Sequence, residues 1–472
     1  MISANEFYSK PTDERINKLP EIINNYIASP TYQRAKRAQA YLEGRNTGIG
    51  AYIAKITAAK TSSGKQITEP PQPIKTRIFH RLVLQKSQYS LVNGLYVDET
   101  VKEKLGAAFD TTLLRAGENA ITHGAAYLYW IGNKGNESAL FSRLEFMPMY
   151  DKFTGAMTVG VRFWEIEDGD DKILNIELYE TTNEKYASTA GKTHFFVEDG
   201  KVQIHEEKQP FYTVNQAQLQ AGARAPNMPT GTQLPIFSLH ANPEKISDFT
   251  EDMEANIDRY DRISTDFGGV IDQTAEVYWV LSNLSFRDDD VVETLNAIRN
   301  LKATDGQHGE PKTLEVPHEA RSVALRLLNT LIVANFCGMD VSNVAGVTRT
   351  ATEIQLMSAD LDNAATRFES EVYDFCQKLI TFVTGQEVTD LAFKRKIITN
   401  IAEVSNTVIS AFREGIIGRR TAMEKLPFME VDEIEDALAE VEAREIGMDE
   451  ASVDAYGKAR LEAETIAGDD DE

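Results

Sequence analysis

The chain is 472 residues long and 42% hydrophobic, with a formal net charge of −24. Such a length exceeds one ordinary core and predicts two to four structural units. The excess of 73 acidic over 49 basic residues argues against a protein that grips nucleic acid by its phosphates, because that binding rests on cations.

From the N-terminus, residues 12–42 read as helical. Ile16, Leu19, Ile22, Ile23 and Tyr26 fall near helical spacing, Pro20 breaks or kinks the run, and Gly44 marks a stop. Residues 61–73 are a loop by composition. Ile74 to Val92 reads as a helix ending at Asn93-Gly94, and it carries Lys75, Arg77, His80, Arg81 and Lys86. This basic set reads as a solvated or intersubunit ion-pair face rather than a phosphate contact. Val101 to His123 is expected as one helix, with Leu105, Phe109, Leu113, Leu114 and Ile121 on its buried side. Strands follow at roughly 126–132, 139–148, 157–166, 173–181 and 193–197, and their short intervals indicate an antiparallel meander. Residues 206–233 read as a loop.

Leu234-Pro235-Ile236 leads to the phrase Asn242-Pro243-Glu244-Lys245-Ile246-Ser247-Asp248. Ser247 reads as the N-cap of a helix reaching about Ala275, with Asp248, Glu251 and Asp252 at its positive end. Phe249, Met253, Ile257, Tyr260, Ile263, Phe267 and Ile271 make an apolar stripe, and Asp248, Asp252, Asp258, Asp261 and Asp266 an acidic face. A short strand (Val277 to Leu284), a helical insert (Asp288 to Lys302) and another strand (Lys312 to Val316) come next. The helix from His318 to Phe336 carries Val323, Leu325, Leu327, Leu328, Leu331 and Ile332, so burial on several sides is expected. A small-residue loop precedes a helix of about 34 residues, Ala351 to Thr384, ended by Gly385. Ile397 to Glu445 reads as helices around a turn at Gly415-Ile416-Ile417-Gly418. Of the net charge, −14 falls in residues 430–472, where 17 acidic residues face three basic ones. The end of the tail after Gly447 is expected to be disordered.

This order of elements resembles the portal proteins of tailed bacteriophages, of the siphophage type. The Leu-Pro-Ile strand, the asparagine turn, the Ser-Asp helix start and the later Gly-Ile-Ile, Arg-Thr and Leu-Pro phrases carry the resemblance, which covers roughly residues 12–445. It implies an α+β portal-type fold with long stem and wing helices, an antiparallel β meander in the wing, a small α/β clip and an α-helical C-terminal crown. The implied boundaries are 1–246 for the N-terminal wing region, 247–275 for the first stem helix, 276–316 for the clip and 317–338 for the second stem helix. A tunnel loop at 339–350, a long wing helix at 351–386 and a crown with its acidic tail at 387–472 complete the series. The resemblance further implies a homo-oligomeric ring of twelve subunits at one capsid vertex of the virion, assembled in the host cytoplasm. Double-stranded DNA would pass through without its sequence being read. The implied partners are the terminase large subunit, the head–tail adaptor, the major capsid protein and the scaffolding protein. The channel would be lined by Val341, Ser342, Asn343, Val344, Ala345, Gly346, Val347, Thr348 and Arg349. Arg349 is the one group there able to pair with phosphate, and its rival role is a salt bridge to Glu353.

No catalytic residue set accompanies these elements. There is no Walker A motif, no Gly-x-Ser-x-Gly and no GxGxxG after a strand. The seven histidines are scattered without a recognised ligand spacing. Asp288-Asp289-Asp290 reads as a helix start rather than a metal cluster. Cys337 and Cys376 both lie in predicted helices and read as core thiols in a reducing compartment. No enzyme activity, cofactor or metal is therefore expected. Met1 to Lys10 lacks an apolar h-region, and no apolar run approaches the ~20 residues needed to cross a bilayer. A soluble protein made in a cytoplasm, without membrane contact, is the expectation. A second reading stays open: a non-enzymatic cytoplasmic helical scaffold or adaptor with no channel.

Overall fold

The computed structural model describes residues 3–58, 71–131, 138–168, 171–182, 190–198, 200–209, 234–273, 318–340, 351–386, 391–393 and 401–426, with positions 211, 395, 434, 437, 438 and 441 besides. The chain divides into two units. One is Met1–Met339 with Asp360–Lys396, the other Asp340–Ala359 with Ile397–Glu472. Helices and antiparallel sheets occupy separate stretches, which is the α+β class.

Proline and glycine punctuate the N-terminal helices more finely than expected. After a short helix α1 (Ala4–Tyr8) that the sequence did not suggest, the expected interrupted helix 12–42 is three: α2 (Thr12–Asn17), α3 (Leu19–Ile27) and α4 (Pro30–Leu42). Pro20 sits in the first turn of α3, and Pro30 opens α4 directly after its cap Ser29, where a missing N–H costs nothing. Gly44, at φ +76°, ends α4, and the Arg45 N–H reaches back to the Ala40 carbonyl at 2.7 Å. Helix α5 (Thr47–Ala58) had no counterpart among the expected elements. Helix α6 (Ile78–Leu91) stops at Gly94 as its sequence suggests. The expected helix 101–123 is two, α7 (Glu99–Leu105) and α8 (Phe109–His123), because Gly106 between them lies at φ +87°.

Two sheets follow, with a small pairing of β1 (Leu95–Tyr96) and β10 (Ala392–Phe393) beside them. Strand β2 (Ala125–Trp130), buried at every position, is the centre of a three-stranded antiparallel sheet. It lies between β3 (Ser138–Ser142) and β9 (Ile236–His240). Strands β4 (Phe146–Tyr150), β5 (Met157–Asp168), β6 (Asp171–Glu180), β7 (Gly191–Glu198) and β8 (Lys201–Gln209) form a five-stranded meander in chain order. The expected strand 139–148 is thus two strands in two sheets. They are separated by a turn in which the Glu145 carboxylate accepts the Ser142 N–H at 2.9 Å. Strand β8 extends into residues read as loop.

One face of the meander buries Met147, Met149, Val159, Val161, Phe163, Ile176, Leu178 and Phe195 against Phe7, Tyr8, Leu19, Ile23 and Tyr26 of the N-terminal helices. Each such side chain contributes about 1.5–3 kcal/mol on burial. The larger core lies around α8 and the long helices α9 (Glu251–Gln273), α10 (His318–Asn335) and α11 (Ala351–Thr384). The 34 residues of α11 span about 50 Å at the usual rise. In the second unit, α12 (Ile401–Arg413) turns at Gly415, φ +72°, into α13 (Arg419–Glu424). The expected elements at 277–316, the Asp288–Asp290 run and the tail after Gly447 lie outside the described residues. No described helix is long and apolar enough to cross a membrane.

Candidate functional site

The phrase Asn242–Asp248 is a lock between α8 and the entry to α9. The Asn242 side chain accepts the Ile246 N–H at 3.2 Å, and its amide donates to the Ile246 carbonyl at 2.9 Å and to Asp248 at 3.0 Å. The Ser247 hydroxyl donates to the Thr122 carbonyl at 2.5 Å, and the Asp248 N–H to the Ile121 carbonyl at 3.1 Å. Gly124 lies at φ +84°, and a Cβ there would sit 2.5 Å from the Ile246 carbonyl carbon. Only glycine lets these two backbones meet. Ser247 is therefore not the cap of α9. Thr250 does that work: its hydroxyl accepts the Met253 N–H at 3.2 Å. Asp248 likewise serves an ion pair rather than the helix end. Lys86 of α6, itself buried, reaches it at 2.7 Å.

Along α9 the expected division into an apolar stripe and a solvated acidic face does not hold. Phe249, Met253 and Ile257 are buried as expected, but so are Asp261 and Thr265. The segment from Tyr41 to Thr76 supplies donors to this helix. The Tyr41 hydroxyl donates to Asp258 at 2.5 Å and the Tyr52 hydroxyl to Asp266 at 2.7 Å. Asp261 accepts from the Asn46 amide, and from the Thr76 N–H at 3.1 Å and hydroxyl at 2.6 Å. The Ile74 N–H donates to Thr265 at 3.0 Å. Burial pushes the Asp258 and Asp261 carboxyls up despite these hydrogen bonds, and pushes the Tyr52 phenol up to about 12, with Asp266 adding to it. Carboxylates with several donors tolerate burial that bare ones do not.

The far ends of the helix pair are pinned by one aromatic ring. Phe79 of α6 contacts Phe249, just before α9, at 4.8 Å and Phe336, just after α10, at 6.2 Å. The start of one helix and the end of the other meet there, so the packed pair runs antiparallel. Beyond α10 the chain turns through Cys337 at φ +58°, with the Gly338 N–H reaching the Val333 carbonyl at 2.9 Å. Cys337 is thus exposed and outside the helix in which it was expected, whereas Cys376 is fully buried in α11. Gln85 then clamps Met339 from both sides, donating to its carbonyl and accepting its N–H, each at 2.9 Å. The chain therefore leaves a fixed point at Met339 and re-enters helix at Ala351.

Two helices on either side of residues 274–317, followed by a 34-residue helix, agree with the order of helices expected over 234–384. A family model described as "Phage portal protein, SPP1 Gp6-like" matches residues 25–446. The chain belongs to this family of phage portal proteins. Among solved structures, a chain of the "Neck of native GTA particle computed with C12 symmetry" is similar over 75% of this chain and 90% of its own, at 10% identity and a TM-score of 0.37. No curated protein sequence matches. As a portal protein, the chain is a structural component of the capsid vertex and head–tail connector, and works as a homo-oligomeric ring.

Residues 341–349, the expected lining of the portal channel, lie outside the described residues. What the structure adds are roles that the sequence did not assign: Gly124 at the backbone contact, Lys86 as the buried partner of Asp248, and Asp258, Asp261 and Asp266 of α9 as acceptors facing inward. Gly124 alone had a signal, as the glycine between a helix and a strand. Helix α10 departs from expectation in the other direction. Leu328, Ile332 and Val333 are buried, but Val323, Leu327 and Leu331 are 55%, 60% and 41% exposed. They stand one turn apart along one edge of the helix.

Proposed function

We propose that the portal ring is built of twelve copies of this chain, with α9 and α10 as its stem. The row Val323, Leu327 and Leu331 supports this reading. Three large apolar side chains in line are left uncovered by their own subunit, and each stands to contribute up to about 1.5–3 kcal/mol on full burial. A contact between this row and a different face of the next copy is heterologous, and heterologous contacts that close make rings. In this reading residues 247–275 and 317–338 are the stem, 276–316 the clip, and 1–246 with 351–386 the wing. Residues 339–350 form the tunnel loop and 387–472 the crown with its acidic tail. A cytoplasmic helical scaffold without a channel is the reading set aside, and the family match is what weighs against it.

The ring is a conduit, not an enzyme. Double-stranded DNA passes through it during packaging and ejection, touched by Val341 to Arg349 without being read. A loop of small residues with one arginine makes contact without gripping, which suits a sliding substrate, as does a net charge of −24. The clip docks the terminase large subunit and later the head–tail adaptor, while the major capsid protein and the scaffolding protein meet the ring at its vertex during assembly in the host cytoplasm. Light scattering on the purified protein tests the ring: a mass many times the 52.7 kDa of one chain is expected, and a monodisperse monomer at micromolar concentration would overturn it. Two further variants separate the parts. Deleting 286–310 abolishes docking of terminase and adaptor if these residues are the clip. Arg349→Ala leaves rings intact and impairs DNA packaging or retention if the loop lines the channel; normal packaging would leave Arg349 only its pairing with Glu353.

A further inference from the structure

The face of the meander turned away from its core carries side chains that the conduit reading leaves without a task. Arg162 and Trp164 of β5, Asn175 and Glu177 of β6, and His194 of β7 alternate with the apolar core residues and so share this face, where Asn175 and Glu177 are themselves buried. At its edge the pairing of β7 with β8 is irregular. His194 stands opposite Glu206, but Phe195 stands opposite Ile204, so His205 is an extra residue in β8. In a regular strand, neighbours such as His205 and Glu206 point to opposite faces. The bulge cancels that alternation. One potential ligand atom from each of His194, His205 and Glu206 falls within 4.8 Å of the other two, and the two imidazole rings lie 4.8 Å apart, edge to face.

We propose that His194, His205 and Glu206 form a binding site for a divalent transition metal of the zinc class at the outer edge of the meander. Two imidazoles and a carboxylate are a donor set that such ions take, with nitrogen and oxygen bonds near 2.0–2.2 Å and a remaining position for water. Donors around one ion sit roughly 3–3.5 Å apart at those bond lengths. His205 and Glu206 are both exposed at the strand surface, so small rotations of their side chains close the set. The nearby cations are engaged elsewhere: Lys192 pairs with Glu177 at 2.9 Å and Lys208 with Glu180 at 2.8 Å. Glu206 forms no ion pair with lysine or arginine among the described residues. Asn175 holds the His194 Nε2 at 3.1 Å, and Trp164 lies against the ring at 5.5 Å. A ligand through Nδ1 keeps that hydrogen bond, which then orients the imidazole as outer-shell partners do. An ion here ties β8, an edge strand, to β7 by side chains as well as by backbone.

The test is calorimetric titration of the tag-free, chelator-stripped full-length protein with Zn2+. One ion per chain is expected, with affinity weakened at least tenfold in His205→Ala and to a smaller degree in Glu206→Gln. Amide exchange in 191–209 is expected to slow with Zn2+ in the natural chain and not in His205→Ala. Since His205 is exposed, that variant folds, and an unchanged circular dichroism spectrum verifies it. Zn2+ binding of equal strength in both proteins, or binding only at millimolar concentration, overturns the proposal. So does binding that leaves exchange in 191–209 unaltered.

Discussion

The meander and the α9–α10 pair bury their apolar faces by different means. In the meander, period-two alternation puts Val161, Phe163, Ile176, Leu178 and Phe195 on one side, and α1–α3 of the same chain cover them. Arg15 seals that lid, pairing with Glu180 at 3.3 Å in a buried site and lying over the Phe7 and Tyr8 rings. The α9–α10 pair also buries apolar side chains, among them Met253, Ile257 and Ile332, but not by a clean division of faces. Its inner side holds aspartates satisfied by Tyr41, Asn46, Tyr52 and Thr76, while leucines of α10 face outward. The meander is thus complete as a single chain. The helix pair is complete on the side turned to its own chain and leaves Val323, Leu327 and Leu331 uncovered on the other.

Substitutions distinguish these two economies. Phe195→Ala empties a fully buried site in the meander and should cost about 3–5 kcal/mol, read from denaturant unfolding; a loss under ~1 kcal/mol would mean that the lid packs more loosely than its contacts suggest. Lys86→Met, at the lock of α9, strands Asp248 without its cation and should cost about 3 kcal/mol, with Asp248→Asn in the same chain restoring part of it.

Acid should weaken the fold by a route outside both regions, through His123 at the end of α8 and His240 in β9. Burial holds His123 down to about 4, with Arg143 adding to it, and holds His240 down to about 3, with Lys245, Arg143 and Lys378 adding to it. Both folded values lie below the unfolded 6.5, so the unfolded chain takes up protons first. Stability is full above 6.5 and is lost as pH falls towards 4 and 3. Between pH 7 and 5 each histidine should remove roughly 1–2 kcal/mol, and His123→Gln should flatten its share of the slope. Asp258 and Asp261, pushed up by burial, act in the opposite sense and restore some stability as they protonate. Tyr52→Phe removes one hydrogen bond to Asp266 and should cost about 1 kcal/mol.

Leu327→Asp should change the stability of the single chain least, within about 0.5 kcal/mol, because Leu327 already faces solvent. Its effect should appear in the mass measured by light scattering, with the ring lost. Retention of the full ring would remove α10 from the subunit interface.

Local chemistry made much of this molecule legible in its sequence. The 34 residues of α11 follow from sustained 3.6-residue spacing ended by Gly385, and the meander from alternation over strands of ordinary length. The splitting of 139–148 between two sheets was not legible, because alternation says which side faces a core and not which core. Nor was the burial of Asp261, since a carboxylate at helical spacing looks the same whether water or Asn46 and Thr76 hydrogen-bond it. His194 and His205, eleven positions apart, meet only through strand pairing and a bulge. Propensity and periodicity are properties of neighbours along the chain, and they determined the elements. Which faces are covered, which buried charges find partners and which side chains converge depend on residues that pairing and packing bring together from elsewhere in the chain, and these only the tertiary structure decided.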